Sequence, residues 1–481
     1  MTGLTEPPVR CLSPLPLLLV AALLTGGCAT YTQKSAGLRE SWEDGRWQDA
    51  AQLGGILEKK NAGGKDAVLF GLEQGTVLRA TGDYAGSQEV FDRTYERIEA
   101  QRSQADLRLS QESASLFLNP GETEYRARTY DRIMLHTYEA LNALALDDPP
   151  RARVALNRAL QAQRDAVAAN ARRIEEGEQA LATAREETGT ENVQLDQTLA
   201  NPQVRNELDR IYAPVRDLRP YAPYVNPFTV FLDGVFFLRQ GADPSDLERA
   251  RKSLERVASL VPESPWLQQE LARAEQRLAG QSLPPSVLVL LETGEPPRRE
   301  AERLDLPLFV FGVQEVPYVG IAFPVLRFSR SNPGPLAIRT DQQSARTETI
   351  ANLDRIIGTE FEDQQPLVVR KAILSAASKA LATYLVREQF KDGSTAQALV
   401  DLAGILYQVS TNQPDLRSWS TLPREIQGMR VARPANDRLT LSLDGWSEEI
   451  AISAPADSLS IVHVRVVNRR TPPVVHQYAL P

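Results

Sequence analysis

The sequence predicts a mostly α N-terminal half, built as a stack of helical hairpins, followed by an α+β C-terminal domain. Three observations predict this. A phrase of Gly, one residue, an aromatic and then an apolar-periodic helix recurs between residues 43 and 98. Near residue 281 the residue mix shifts to Val, Leu and Phe punctuated by Pro and Gly. From residue 424 onward, short alternating runs are separated by turn residues, the period-two pattern of strands with one buried face.

Residues 1–27 read as a signal peptide. Arg10 supplies the charged part, Leu15 to Leu24 ("LPLLLVAALL") the apolar part, and Thr25, Gly26 and Gly27 the small residues before a cleavage point. The apolar run is shorter than the roughly 20 residues that a membrane-crossing helix takes. The stretch "LLTGGCAT" resembles the lipobox of bacterial lipoproteins, with Gly27 and Cys28 flanking the scissile bond and Leu24 one place further upstream than the usual leucine. The resemblance implies that Cys28 becomes the mature N-terminus and carries lipid on its sulfur and amine. Several acyl chains, at ~0.8 kcal/mol per buried methylene, then make the anchor permanent. Ala29 in place of Asp implies the outer membrane. An ordinary cleaved signal that leaves Cys28 as a free thiol is the alternative.

Without the leader about 450 of the 481 residues remain, a length for two or three domains. Charged residues make up 24% and the net charge is −8. That balance suits a soluble globular body and argues against a nucleic-acid partner, which needs a clustered basic surface. Only Cys11 and Cys28 carry thiols, so the mature chain has no pair for a disulfide. A chain of this size buries enough core without one.

The region 28–280 reads as helix after helix. "EDGRWQDAAQLGGILEK" (43–59) and "ATGDYAGSQEVFDRTYERI" (80–98) share the recurring phrase, with Gly45 and Gly82 placed 37 residues apart. A third unit, "ALDDPPRARVALNRALQAQ" (145–163), replaces the Gly turn by Asp-Asp-Pro-Pro, and a fourth runs from 231 to 264 around Gly241. Gly permits the left-handed residue that ends a helix, and Trp47 or Tyr84 fills the crease between partners. One hairpin cannot bury its own apolar face, so hairpins stack into a solenoid with a concave side. Spacing and residue types resemble tetratricopeptide repeats, whose period is about 34 residues; a generic helical bundle is the alternative. "RDAVAANARRIEEGEQALATAREE" suits a long, solvent-rich helix. The Pro- and aromatic-rich stretch that follows, residues 201–228, reads as an ordered connection.

Residues 281–481 read as the α+β domain. Strands and turns lead from 286 to 328, helices cover 343–361 and 366–411, and four short strands with a possible fifth, "VVHQYAL", close the chain.

Chemistry-bearing groups are few. His136 sits in a helix pattern and reads as a packing residue. His463 and His476 lie in successive strand segments and can face each other across a hairpin, but two imidazoles lack the third ligand of a zinc site. No metal or cofactor motif is present. Glu360, Glu362 and Asp363 form one acid cluster and Glu292 and Glu295 another. These are the candidates for a carboxylate-dependent peptidoglycan hydrolase, which needs two carboxylates in one cleft. Phe309, Phe311, Tyr318, Phe323 and Phe328 are the candidates for an apolar pocket in a glycan or lipid carrier, with core packing as the simpler account.

"ETGEPPRREAERLDLPLF", "GIAFPVLRFS" and "DLRSWSTLPREIQ" (415–427), taken with "LTGGCATY" and "GDY", resemble a family of uncharacterised bacterial outer-membrane lipoproteins with tetratricopeptide-like helical repeats. Members end with an arginine-tryptophan phrase of this sort and a short β region. The resemblance implies a periplasm-facing, lipid-anchored scaffold or assembly protein that binds other cell-envelope proteins, the peptidoglycan-synthesis machinery among them. Arg417 and Trp419 are the candidate partner-contact residues. The alternative for this pair is a tryptophan packed under a strand with an arginine stacked on it.

Overall fold

The computed structural model describes residues 30–105, 121, 123–187, 193–307, 318–330, 332–389 and 413–480. Its helical part begins at once: α1 (Tyr31–Lys34), α2 (Ala36–Glu43), α3 (Trp47–Lys60), α4 (Ala67–Ala80) and α5 (Tyr84–Ala105). Neighbours pair, α2 with α3 and α4 with α5. Gly45 and Gly82 take φ of +71° and +83°, the left-handed turns expected between partners. α4 is buried on nearly every side, which accounts for its all-round apolar composition. At Gly75 a Cβ would stand 2.3 Å from the Phe91 ring, so this glycine sets how closely α4 and α5 approach.

The third pair is α6 (Thr129–Ala145) and α7 (Pro149–Glu187). Asp147, with φ of 56°, does what glycine does in the earlier turns. α7 spans 39 residues and is therefore ~58 Å long. Two shorter helices, α8 (Leu195–Ala200) and α9 (Pro202–Arg216), follow, so the first half of the expected connection is helical. α10 (Pro227–Gln240), α11 (Pro244–Leu260) and α12 (Pro265–Leu278) each start with proline behind an Asn226, Asp243 or Ser264 side chain that caps the free N–H groups. Gly241 departs from the expected left-handed turn: its φ is −64°. Glycine is needed there because a Cβ would meet the Phe237 carbonyl oxygen at 2.5 Å.

Strands begin with β1 (Ser286–Thr293), β2 (Arg298–Pro307), β3 (Tyr318–Arg327), β4 (Ala337–Arg339), β5 (Ser344–Arg346) and β6 (Glu348–Asn352). α13 (Leu353–Gln389) follows and runs straight through Pro366. The closing strands are β7 (Glu425–Ala432), β8 (Arg438–Leu443), β9 (Trp446–Ala451), β10 (Leu459–Val466) and β11 (Val474–Leu480). One expectation fails here. Residues 344–346 and 348–352 are strands and not helix: β5 pairs with β4 through Ile338↔Ala345, β6 pairs with β7 through Glu348↔Gly428 and Asn352↔Glu425, and these pairings outweigh local propensity. The part of the expected helix beyond residue 389 lies outside the described residues.

A five-stranded sheet, ordered β11-β10-β1-β7-β6, forms the middle layer, with β1 and β10 parallel and the other pairs antiparallel. Leu288, Leu290, Ile461 and Leu480 of this sheet join the helices in one apolar cluster that reaches back to Tyr31. Val287, Val289, Leu291 and Val464 point the other way, onto the sheet ordered β5-β4-β8-β9. Burial on both faces explains why β1 reads as an unbroken apolar run and not as an alternation. β2 and β3 form a separate hairpin.

Candidate functional site

Arg417 and Trp419 sit on a strap, residues 413–424, that lies against the helices and leads into β7. Trp419 is 1% exposed. Its ring lies edge-on to Phe91 and Tyr138, with centroids 6.2 and 5.9 Å away, and its N–H donates to the hydroxyls of Thr76 and Thr421 at 3.0 Å each. One residue on, the strap closes over Glu73 of α4. This fully buried carboxylate accepts from the Ser420 and Thr421 N–H groups at 2.7 and 3.1 Å, from both hydroxyls at 2.8 and 2.7 Å, and from the Tyr31 phenol at 2.9 Å. Burial raises its pKa more than those donors lower it.

Arg417 is equally enclosed. Its guanidinium donates to Asp66 at 3.0 Å, to the Thr123 carbonyl at 2.8 Å and to Asp415 at 2.8 Å, and its own carbonyl accepts from Arg128 at 2.8 Å. The ring beneath it is Tyr125, 5.4 Å away, and not Trp419. Both candidate contact residues thus find their described partners inside the chain. They tie strap to helices.

A second polar cluster lies where α4 and α6 meet β1 and β10. His463 and His476 are direct partners across the β10–β11 ladder, as expected, but their rings serve different neighbours. Arg79 Nη2 is 2.9 Å from His463 Nδ1. Since a guanidinium only donates, Nδ1 accepts and the ring proton sits on Nε2, 3.2 Å from Glu292 Oε1. Tyr138 donates to the other Glu292 oxygen at 3.1 Å, and Arg79 also reaches Asn142 at 3.1 Å. Arg465, 5% exposed, donates to the carbonyls of Glu292, Gly294 and Leu422 at 3.2, 3.0 and 3.3 Å. Burial lowers the His463 pKa against the pull of Glu292, so the ring is neutral at pH 7. Burial alone would raise Glu292, but His463, Arg79 and Arg465 outweigh it and hold the carboxyl at about 2.

Asp131 shows the opposite balance. Burial lifts it to about 6 although Arg128 and the Tyr125 phenol favour its ionised form. The two carboxylates therefore give stability opposite pH dependences. The lowered Glu292 stabilises fully above its ordinary 4.5 and loses that contribution as pH falls toward 2. The raised Asp131 stabilises below its ordinary 3.8 and loses that contribution as pH rises through about 6. Urea unfolding of Asp131→Asn against wild type is expected to shift in the variant's favour between about pH 4 and 7, by on the order of 2 kcal/mol. Glu292→Gln is expected to lose ground between about pH 3 and 4.5 and to run parallel to wild type above that. Parallel profiles for Asp131→Asn over the whole range would refute the assignment.

The remaining candidates are placed as follows. Glu360 is 2% exposed and accepts from the free N–H groups of Thr129 and Tyr130 at 3.0 and 3.2 Å, so it caps α6 from another helix. Asp363 accepts from the Tyr224 phenol at 2.5 Å, and Glu362 is exposed. Glu295 pairs with Arg298 at 2.7 Å. His136 is buried, with Glu139 2.7 Å from Nδ1, and His476 reaches the Ala80 carbonyl at 3.1 Å. Phe323 belongs to the apolar core, and the half-buried Phe328 packs against it. Tyr318 is the first residue of β3, whereas Phe309, Phe311 and Cys28 lie outside the described residues. An open cleft of about 500 Å³, lined by Trp47, Asp49, Thr81, Val474 and His476 among others, is built from none of the five pocket candidates. Among the described residues no three His, Cys, Asp or Glu side chains come together as a metal site, and no helix is long and apolar enough to cross a membrane.

Sequence reasoning missed Glu73, Arg79 and Arg465. The signal was there: each is a lone charge inside an apolar run ("FGLEQGTVLRA", "IVHVRVV"), and a charge in such a place requires a buried partner. Comparison with protein-family models and with curated proteins finds no match to this chain.

Proposed function

We propose that the chain is a lipid-anchored, periplasm-facing scaffold of the bacterial outer membrane that binds other envelope proteins through its helical part, read as tetratricopeptide-like repeats. One observation carries the non-catalytic side of this reading. Apart from exposed Glu362, each acid and histidine that the sequence puts forward as reactive, wherever it is described, is engaged within the fold: Glu292, Glu295, Glu360, Asp363, His136, His463 and His476 all have internal partners. The helix pairs closed by Gly45 and Gly82 support the repeat reading. The strap and the five-stranded sheet lie against α4 and α6, so partner binding falls to helix faces left open. On α7, Val154 and Val167 are 48% and 56% exposed and mark two such faces, roughly 140° apart around the helix.

Two measurements test the proposal. Cys28→Ser is expected to move the protein from the membrane pellet to the soluble fraction and to abolish the globomycin-sensitive precursor. Recovery in the same membrane fraction as wild type would refute the anchor. Photo-crosslinkers at positions 154 and 167 are expected to capture defined envelope proteins in intact cells. A profile equal to that of an uncrosslinked control would refute the scaffold.

A further inference from the structure

We infer that the outer face of α3 rests on the lipid surface to which the chain is anchored. The inference builds on the proposed lipidation of Cys28 and adds a direction to it. Folded structure starts almost directly after that cysteine. Thr30 caps α1, its hydroxyl accepting from the Gln33 N–H at 3.3 Å while its own N–H donates to the Gln33 side chain at 2.9 Å. Tyr31 is already a core residue, 6% exposed, with its ring 5.1 Å from Phe70 and its phenol on Glu73 at 2.9 Å. Three Cα steps separate the lipid-bearing residue from this fixed point, a reach of roughly 11 Å. The body therefore has no slack with which to stand off the bilayer.

The geometry then selects a face. α1 and α2 lead from Tyr31 to Gly37, where a Cβ would touch the Leu53 side chain of α3 at 3.8 Å. Leu53 is consequently within roughly 25 Å of the lipidated residue. The open side of α3 carries Leu53 and Ile56, 37% and 54% exposed, and the exposed cations Lys59 and Lys60. Leu53, Ile56 and Lys60 stand at i, i+3 and i+7, a single stripe. At the far end of the same face Asp49 lies 3.6 Å from Arg46, which Asp44 and Glu40 also approach at 3.2 and 3.9 Å, so the acids gather at that end and the lysines at the other. Apolar side chains flanked by lysines, held beside a short lipid tether, match an interfacial surface: the apolar groups enter the headgroup boundary and the ammonium groups meet lipid phosphates.

The test uses the mature lipoprotein in vesicles of phosphatidylethanolamine and phosphatidylglycerol. Cys11 leaves with the leader and the Cys28 sulfur is lipidated, so an introduced cysteine is the single reactive thiol. Spin labels are placed at Ile56→Cys and, as an aqueous control, at Val167→Cys. The label at 56 is expected to collide with oxygen several-fold more, relative to a water-soluble nickel chelate, than the label at 167. Equal ratios at the two positions, or shielding of position 56 from both reagents as in a protein contact, would overturn the inference while leaving the anchor intact. The mass of the N-terminal peptide reads lipidation separately: an unlipidated Cys28 overturns both.

Discussion

Replacing Trp419 by alanine is expected to destabilise helices and sheet together, by about 3–5 kcal/mol. The indole is buried between Phe91 and Tyr138, and the apolar cluster that holds it extends from Tyr31 to Leu480. A cavity there removes contacts from α4, α5, α6 and the strap at once. Thr76 and Thr421 keep other partners for their hydroxyls, the Leu72 carbonyl and Glu73, so the loss is mostly of packing. Trp419→Phe, which retains a ring and deletes the N–H, is expected to cost only about 1–2 kcal/mol. Urea unfolding followed by far-ultraviolet circular dichroism, with hydrogen exchange read at α4 and at β1, checks the coupling. Loss of protection at β1 alone, with α4 unchanged, would show that the strap is not part of a shared core.

What was legible in the sequence divides along the range of the forces involved. Gly45 and Gly82 were legible because a left-handed turn is a local demand that few residues meet, and the closing strands because alternation is written residue by residue. His463 facing His476 followed from the same alternation with one turn between. The strand at 348–352 was not legible: its partner, β7, lies some eighty residues away in sequence, and pairing energy at that distance leaves no local mark. Arg417 and Trp419 stood out in the sequence, but their environment did not, because Glu73 of α4 and Asp66 just before it, which fix the strap, lie far upstream. Glu360 shows the same limit. It looks like an exposed acid at a helix end, and only the fold brings it to the N-terminus of α6.

The largest electrostatic effect is expected at Glu270, where the direction depends on what is removed with it. Glu270 of α12 is fully buried and receives Arg430 of β7 through Nε at 2.8 and 3.0 Å and through Nη2 at 2.6 Å. Arg273 approaches from the same helix at 3.3 Å, and Ser286 takes the remaining Arg430 nitrogen at 3.3 Å. Glu270→Ala leaves a desolvated guanidinium with no counter-charge, at a cost of about 3–5 kcal/mol. Replacing both partners by apolar residues, Glu270→Leu with Arg430→Met, is expected to restore most of that loss, because the attraction within the pair mainly offsets the expense of taking two charges out of water. The pair's contribution then lies in placement. Trp266, one turn before Glu270, presses on Gly428 of β7, where a Cβ would meet the ring at 2.8 Å, so the fork to Arg430 fixes which residues of α12 face β7. A four-corner cycle by urea unfolding separates the two contributions. A double variant no more stable than Glu270→Ala would mean that the pair's attraction exceeds its desolvation cost, and a single variant within 1 kcal/mol of wild type would mean that water reaches the site.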